Sequence, residues 1–527
     1  MPVSQYDSII VGAGLNGLAA GVVLAKAGWK VLMFESQSEP GGAVRTAEVT
    51  LPGFRHDLYA TNLNGFATSQ LFHDFGADLR RLGLEFVRAS NAFCSVFPDG
   101  DMVGVTTDLE ETISEVRRLS AADAEAWRAL TERFRRMADY VFPVMRQPMP
   151  SWGTLRTLLR GTRALGTRWP IGLFALLMTS QREFVTRHFR HPKIAALWAA
   201  WGMHLDFAPE VRGGGLYGFI QCMSAQANGL HFGKGGASVV VDALARLYCE
   251  LGGELRCSSP VAEIVVENGR AVGVKLSGGE LIAARHGVIA NTTPTVLFGK
   301  LIKAGVSRRL ARKAQRYRYG PGTMMIHLAL SQLPQWRNSR AASFAYVHVA
   351  PSLEIMSRAY DDASHGRLPA EPVLIVAQPT LFNASRAPHS RHVLSIQVRV
   401  LPSRLDWDTV KEEYADRLLA LLERYAPGVR QQIVGRCVLS PVDLERANPN
   451  LVGGDNLSGS HHLAQQFIFR PFLGWSRYRT PVRGLYICGA STWPGAGVTA
   501  ASGYLLANLL TQTADQPPST GMSTPVT

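Results

Sequence analysis

At 527 residues the chain can form several domain-sized units of about 150 residues and bury a large core without disulfide or metal staples. Hydrophobic residues make up 46% and charged residues 18%, which excludes a disordered chain, and no glycine period or proline block suggests a fibrous one. The net charge of +14 favours anionic partners: a phosphorylated cofactor, a lipid surface or nucleic acid.

The cysteines (94, 222, 249, 257, 437 and 488) form no C-x-x-C pair, and His461-His462 has no cysteine at zinc-finger spacing. No metal site is therefore expected, and the thiols read as buried in a reducing compartment. The uncharged runs Ser8 to Ala25 and Gly484 to Ala514 could pass for a signal core and a membrane span. Asp7, not a basic residue, precedes the first, and Gly489, Pro494, Gly495, Gly497 and Gly503 break the second. A cytoplasmic protein with no cleaved leader is expected.

Tyr6 to Val11 (YDSIIV) reads as a buried parallel strand. It runs into Gly12-Ala13-Gly14-Leu15-Asn16-Gly17, an apolar helix over Leu18 to Ala27, and a second strand over Trp29 to Phe34 that ends at Glu35. Gly12 suits the tight turn, Gly14 lets backbone approach a pyrophosphate, and Gly17 lets the helix lie close on the sheet. The helix N-terminus offers N–H donors and the positive end of its dipole. Glu35 suits ribose hydroxyls, and its charge argues against a 2′-phosphate, hence against NADP. Gly213 to Gly218 repeats the G-x-G-x-x-G spacing, but DFAPEVR before it is no buried strand. That segment reads as a flexible loop or helix start, leaving one dinucleotide site.

A second glycine pair, Gly41-Gly42, follows in EPGGAVRT, where backbone can meet the same diphosphate from the other side; Gly53-Phe54-Arg55-His56-Asp57 comes next. With these residues the chain resembles the FAD-dependent amine oxidase and phytoene desaturase superfamily. That resemblance implies non-covalent FAD. The superfamily often has Arg directly after the glycine pair; here Ala43 stands there, and Arg45 is carried over as the cationic contact. His231-Phe232-Gly233-Lys234-Gly235-Gly236 is similar to the family's aromatic-x-x-G-G turn, ahead of an apolar helix from Ala237 to Leu251. Val261 opens a hairpin turning at Asn268-Gly269, and the resemblance implies that backbone near Val261 reads the adenine. Val288 to Asn291 resembles the strand returning to the FAD domain.

Gly484 to Ser491 reads as strand then turn, delivering Gly489 and Ala490 to a phosphate or ribityl chain. Trp493 to Val498, with Gly497 and Val498 at its end, then places the N-terminus of a helix over Thr499 to Leu510 beside the flavin ring. Within the superfamily the chain most resembles the phytoene desaturase and retinol saturase group, and its pyridine nucleotide-disulfide oxidoreductase domain-containing type. Asn448-Pro449-Asn450, Gly453-Gly454-Asp455, Gln466-Phe467 and Arg470-Pro471 add to that likeness.

The fold class is thus α/β: a Rossmann-like FAD-binding domain, discontinuous over 1–65, 228–300 and 480–514, with an inserted α+β substrate domain over 66–227 and 301–479. The tail 515–527 is expected to be disordered. Between Tyr140 and Arg182 there is no acid, while Arg146, Arg156, Arg160, Arg163 and Arg168 alternate with Trp and Leu. Such a segment suits either a surface helix pair dipping into an anionic bilayer on the inner face of the membrane or a cavity-lining layer. Nucleic acid is not expected, since the charge is diffuse and no binding module is present.

Hydride transfer to a flavin is the expected chemistry, with Lys234, His231, His461, His462 and Arg470 as candidates to handle the proton. Lys234 leads as the catalytic candidate, because no acid in its turn pairs with it. No G-x-S-x-G elbow supports a serine nucleophile. The leading expectation is a desaturase or dehydrogenase of a hydrophobic, isoprenoid or polyene-like substrate, with the electron acceptor left open. The alternatives are an FAD-dependent oxidase or dehydrogenase of a smaller cyclic ketone, amine or alcohol, and a flavoprotein with a binding or scaffolding role.

Overall fold

In the computed structural model, which describes residues 6–514, Tyr6–Val11 forms the centre of a seven-stranded sheet. The tail 515–527 lies outside the described residues. The strand pairs in parallel with Val31–Phe34 on one side and with Leu281–Ala290 on the other, so Ile9 faces Leu32 and Val288. Hydrogen-bonded on both edges and packed on both faces, it carries Ile9 and Ile10 with no exposure. Glu254–Arg256 extends the sheet beyond Val31–Phe34, and Leu485–Ile487 joins Leu281–Ala290 in parallel. The hairpin Val261–Glu267 and Arg270–Leu276 closes the other edge, with Asn268 (φ 48°) and Gly269 (φ 70°) both left-handed, as a type I′ turn requires.

Helices Leu15–Lys26, Val239–Glu250 and Ala501–Ala514 cover one face of this sheet. The approach is close: a Cβ on Gly503 would sit 1.8 Å from the Asn16 carbonyl oxygen, so the two helices touch through backbone. The last helix begins at Ala501 rather than Thr499. Val498 (φ 52°) and Ala500 (φ 60°) are left-handed, which no right-handed helix can include. Helix Gln70–Arg81, expected with the insertion, packs instead on Val239–Glu250 and Ala501–Ala514.

A second seven-stranded sheet runs in the order Ile433–Leu439, Gly322–Leu330, His392–Leu401, Val373–Ala377, Tyr346–Val349, Asn91–Val96, Met102–Thr106. It is antiparallel except where Tyr346–Val349 meets Asn91–Val96. In Gly322–Leu330, Met324, Ile326, Leu328 and Leu330 join the core beneath helix Trp407–Glu423. Met325 and Ala329 pack in separate clusters with Tyr59 and Phe54, the period of two expected of a strand. A helical layer packs on the far strands through Trp127, Trp198 and Phe219. It includes Ala121–Met145, Pro192–Met203 and Gly214–Asn228, the last being the helix that Gly213 (φ 97°) starts. No helix among the described residues is long and apolar enough to cross a membrane.

Candidate functional site

At the carboxyl end of Tyr6–Val11 three glycine turns come together, two of them against the Asn291 side chain and the third against Gly14. The Asn291 amide donates from Nδ2 to the Gly12 carbonyl (3.1 Å). A Cβ on Gly14 would lie 3.0 Å from that nitrogen, and one on Gly489 would lie 3.0 Å from Asn291 Oδ1. The Gly41 N–H donates to Ala13 O (3.0 Å), and a Cβ on Gly42 would come within 3.2 Å of Gly14 Cα. Gly17 lies beneath, where a Cβ would be 2.2 Å from Gly12 O. The N-cap of helix Leu15–Lys26 is Gly14, with no side chain capping the first turn, so its N–H groups are left for a ligand.

Glu35 is buried, accepting from Ala13 N–H at Oε2 (2.9 Å) and from Gln37 N–H at Oε1 (3.0 Å). These bonds fix the carboxylate at the end of its strand. The Ser259 N–H donates to Glu35 O (2.9 Å), which brings the chain entering Val261 alongside.

A cavity of about 590 Å³ extends from these turns. Gly14, Gly41, Gly42, Asn291, Gly489, Ala490, Gly497 and Val498 line it at the glycine end. Phe142, Met145, Trp201, Tyr217, Ile220 and Tyr346 are among the residues that line the rest. No aspartate or glutamate lines it, and Arg146 is its one Lys or Arg among the described residues.

His461, which itself lines the cavity, holds the loop 494–500. His461 Nε2 accepts the Ala496 N–H (3.1 Å), and burial keeps this imidazole neutral, well below the ordinary histidine range. Arg470 is fully buried and donates to the carbonyls of Ala490 (2.7 Å) and Ser460 (2.7 Å). It therefore clamps the 489–491 turn, and its guanidinium is committed to backbone carbonyls. The left-handed Val498 is a strained position for a β-branched residue, of the kind that clusters at ligand-holding loops.

Three sequence expectations need correction. Lys234 does not line the cavity: it is exposed, and its Nζ lies 2.9 Å from both carboxylate oxygens of Glu85. That acid comes from a distant segment, which the turn's own sequence could not reveal. Arg45 points its guanidinium to Glu39 (3.8 Å) and also misses the cavity, where Arg146 is the cation present. His231, within strand Leu230–Gly233, hydrogen-bonds Asn64 (2.8 Å), the loop residue His462 hydrogen-bonds the Asp206 carbonyl (2.9 Å), and neither lines the cavity.

Two networks were not foreseen. Asp57 and Arg386 form a fully buried bidentate pair (3.0 and 2.6 Å). Asp57 also accepts from Thr46 Oγ1 (2.7 Å) and Ala237 N–H (2.8 Å), pinning both glycine-pair segments. Asp206 is buried beside the cavity, takes hydrogen bonds from Ser460 (2.7 Å) and His461 N–H (3.1 Å), and has its carboxyl pushed up to about 6 by desolvation.

The facing glycine turns, the uncapped helix start and the buried Glu35 fit an adenine dinucleotide. Comparison with known proteins agrees. Residues 15–503 match the family described as flavin containing amine oxidoreductase. The rat pyridine nucleotide-disulfide oxidoreductase domain-containing protein 2 is 26% identical, over 96% of this chain and 93% of its own. A limonene dehydrogenase component from Castellaniella defragrans is 28% identical, covering 97% and 95%. The neurosporene-forming phytoene desaturase of Rhodobacter capsulatus is 25% identical, covering 95% and 93%. Among solved structures, a putrescine oxidase variant superposes with a TM-score of 0.63 at 16% identity, covering 97% and 98%.

Proposed function

This chain belongs to the flavin-containing amine oxidoreductase family, and on that premise we propose that it is a dehydrogenase or desaturase of a neutral, hydrophobic, terpene- or polyene-like carbon skeleton. It is an FAD-dependent oxidoreductase. Bound FAD supplies the acceptor for the hydride. The chain's own contribution is to hold that group and to select what reaches it. The three glycine turns, the helix N-terminus at Leu15 and Glu35 would hold the adenosine diphosphate part. Gly489, Ala490 and the 494–500 loop, braced by His461 and Arg470, would hold the rest.

The observation that carries the substrate class is the lining of the cavity. An ammonium substrate entering an enclosed site needs a carboxylate or an aromatic cage to replace its hydration. No carboxylate lines this cavity, and the full positive charge of Arg146 opposes the weaker pull that Phe142, Trp201, Tyr217 and Tyr346 could exert on a cation, so these rings, with Met145 and Ile220, serve as apolar contact. Neutral carbon skeletons gain from that wall through the hydrophobic effect. The limonene dehydrogenase component and the phytoene desaturase carry names in line with this reading.

The test is anaerobic mixing of the yellow protein with a cyclic monoterpene, a carotenoid precursor in micelles, and a diamine. Loss of the visible flavin band with either hydrocarbon, and none with the diamine, is the expected result. Bleaching by the diamine alone would overturn the proposal.

A further inference from the structure

Helix Trp169–Met178 (WPIGLFALLM) has no charged residue, yet only Leu176 among its side chains is fully buried. A helix apolar all round belongs in a core or in lipid. Here Ile171 is 70% and Phe174 64% exposed. The preceding helix, Trp152–Leu165, adds Trp152 at 78% exposure, with Leu155 and Leu159. These five are half of the ten large apolar side chains exposed among the described residues. The two helices are firmly seated. The Trp169 ring packs where a Gly161 Cβ would fall within 2.6 Å, and it meets Tyr140 edge-on at 6.0 Å.

Charge follows the same side. On helix Trp152–Leu165 the apolar residues fall at i, i+3 and i+7, and Arg156, Arg160 and Arg163 form the adjacent stripe at i, i+4 and i+7. Thr154, Thr157 and Gly161 turn inward. Arg156, Arg160, Arg163 and Arg168 are all exposed, and the sequence has no acid from 140 to 182.

We infer that this helix pair is a docking surface for an anionic lipid bilayer. Trp152, Ile171 and Phe174 would enter the acyl boundary, and the arginines would lie at the phosphate level. A second copy of this chain fits poorly, because a symmetric contact would set arginine stripe against arginine stripe. The position also serves the cavity. Gln147 donates to Thr157 Oγ1 (3.1 Å), and Phe142, Met145 and Arg146, just before it, line the cavity. An apolar molecule dissolved in the bilayer would then reach that wall without crossing water.

The test is flotation of the FAD-loaded full chain with phosphatidylglycerol or phosphatidylcholine vesicles. Binding to the anionic vesicles only, falling steeply with salt, is expected. Arg156→Gln/Arg160→Gln/Arg163→Gln should weaken it about a hundredfold, at about 1 kcal/mol per basic residue. Ile171→Ser/Phe174→Ser should also release the protein. Unchanged FAD content and melting in both variants establish that each has folded. No binding at low salt, binding that survives both variants, or a dimer that Ile171→Ser/Phe174→Ser dissolves would each overturn the inference. Flotation requires no turnover, so its outcome is independent of the substrate proposed above.

Discussion

Gly14 and Gly17 lie three residues apart, and the structure assigns them separable jobs. A Cβ on Gly14 would crowd only the Asn291 amide nitrogen, at 3.0 Å, which need give by a few tenths of an ångström, and would meet Gly42 Cα at an ordinary contact distance of 3.8 Å. Its backbone (φ −71°, ψ 171°) suits alanine. A Cβ on Gly17 would stand 2.2 Å from Gly12 O, a backbone atom that already accepts the Asn291 hydrogen bond. Either the helix or the turn must then shift, which costs about 3 kcal/mol or more.

The apo forms must be compared, since FAD at about 1,000 times its Kd would itself add about 4 kcal/mol to the wild type. Gly14→Ala should leave the apo melting temperature within about 1 °C while weakening FAD at least about tenfold, or 1.4 kcal/mol. Gly17→Ala should lower the apo melting temperature by about 3 °C or more, at about 1 °C per kcal/mol for a chain of this size. Content is read by acid precipitation, which should release all the colour as FAD; colour left in the pellet would contradict non-covalent binding. Full FAD occupancy in Gly14→Ala at limiting cofactor would refute the close approach of backbone to pyrophosphate.

Asp57→Asn strands the buried Arg386 charge and should cost about 3–5 kcal/mol in urea unfolding of the apo form; a loss under 1 kcal/mol would show that the pair is dispensable. Desolvation pushes the buried Asp206 carboxyl up to about 6, against about 3.9 unfolded, so this group binds more protons in the native state between those values. Stability from this group therefore falls as pH rises from about 4 to about 6 and is level above, by about 3 kcal/mol at most. Asp206→Asn should flatten that part of the urea-midpoint profile, and an identical slope in both proteins would refute the assignment. Lys234→Met removes a surface pair with Glu85 and should leave flavin reduction within about twofold; a tenfold fall would return the lysine to the site.

What was legible in the sequence was local. Tyr6–Val11, the glycines and Glu35 need only neighbours within one βαβ unit, so spacing alone specified them, and the Asn268-Gly269 turn declared itself the same way. Lys234 failed for the opposite reason: its Glu85 partner is 149 residues away. The second sheet draws on strands from 91–106 and 322–439, and runs such as GTMMIHLAL are buried on both faces. A strand of that kind reads as a plain apolar run and hides which of its faces packs on which cluster. Asn291 was visible only as the end of a strand, although its amide proves to sit between the Gly12–Gly17 turn and Gly489.

The division between these two kinds of information matches a division of labour in the molecule. Asp57 ties Thr46, Ala237 and Arg386 into one buried knot, so segments remote in sequence are held in register behind the cofactor-facing turns. That part must keep its glycines and its charges, because a Cβ or an unpaired ion there has nowhere to go. The walls contributed by Phe142, Met145, Trp201, Ile220 and Tyr346 obey only a volume and polarity constraint, which many sequences satisfy. Substrate choice can therefore drift while the cofactor grip stays fixed. It is in that wall, not at the glycines, that exchange of side chains should redirect the enzyme to a different substrate.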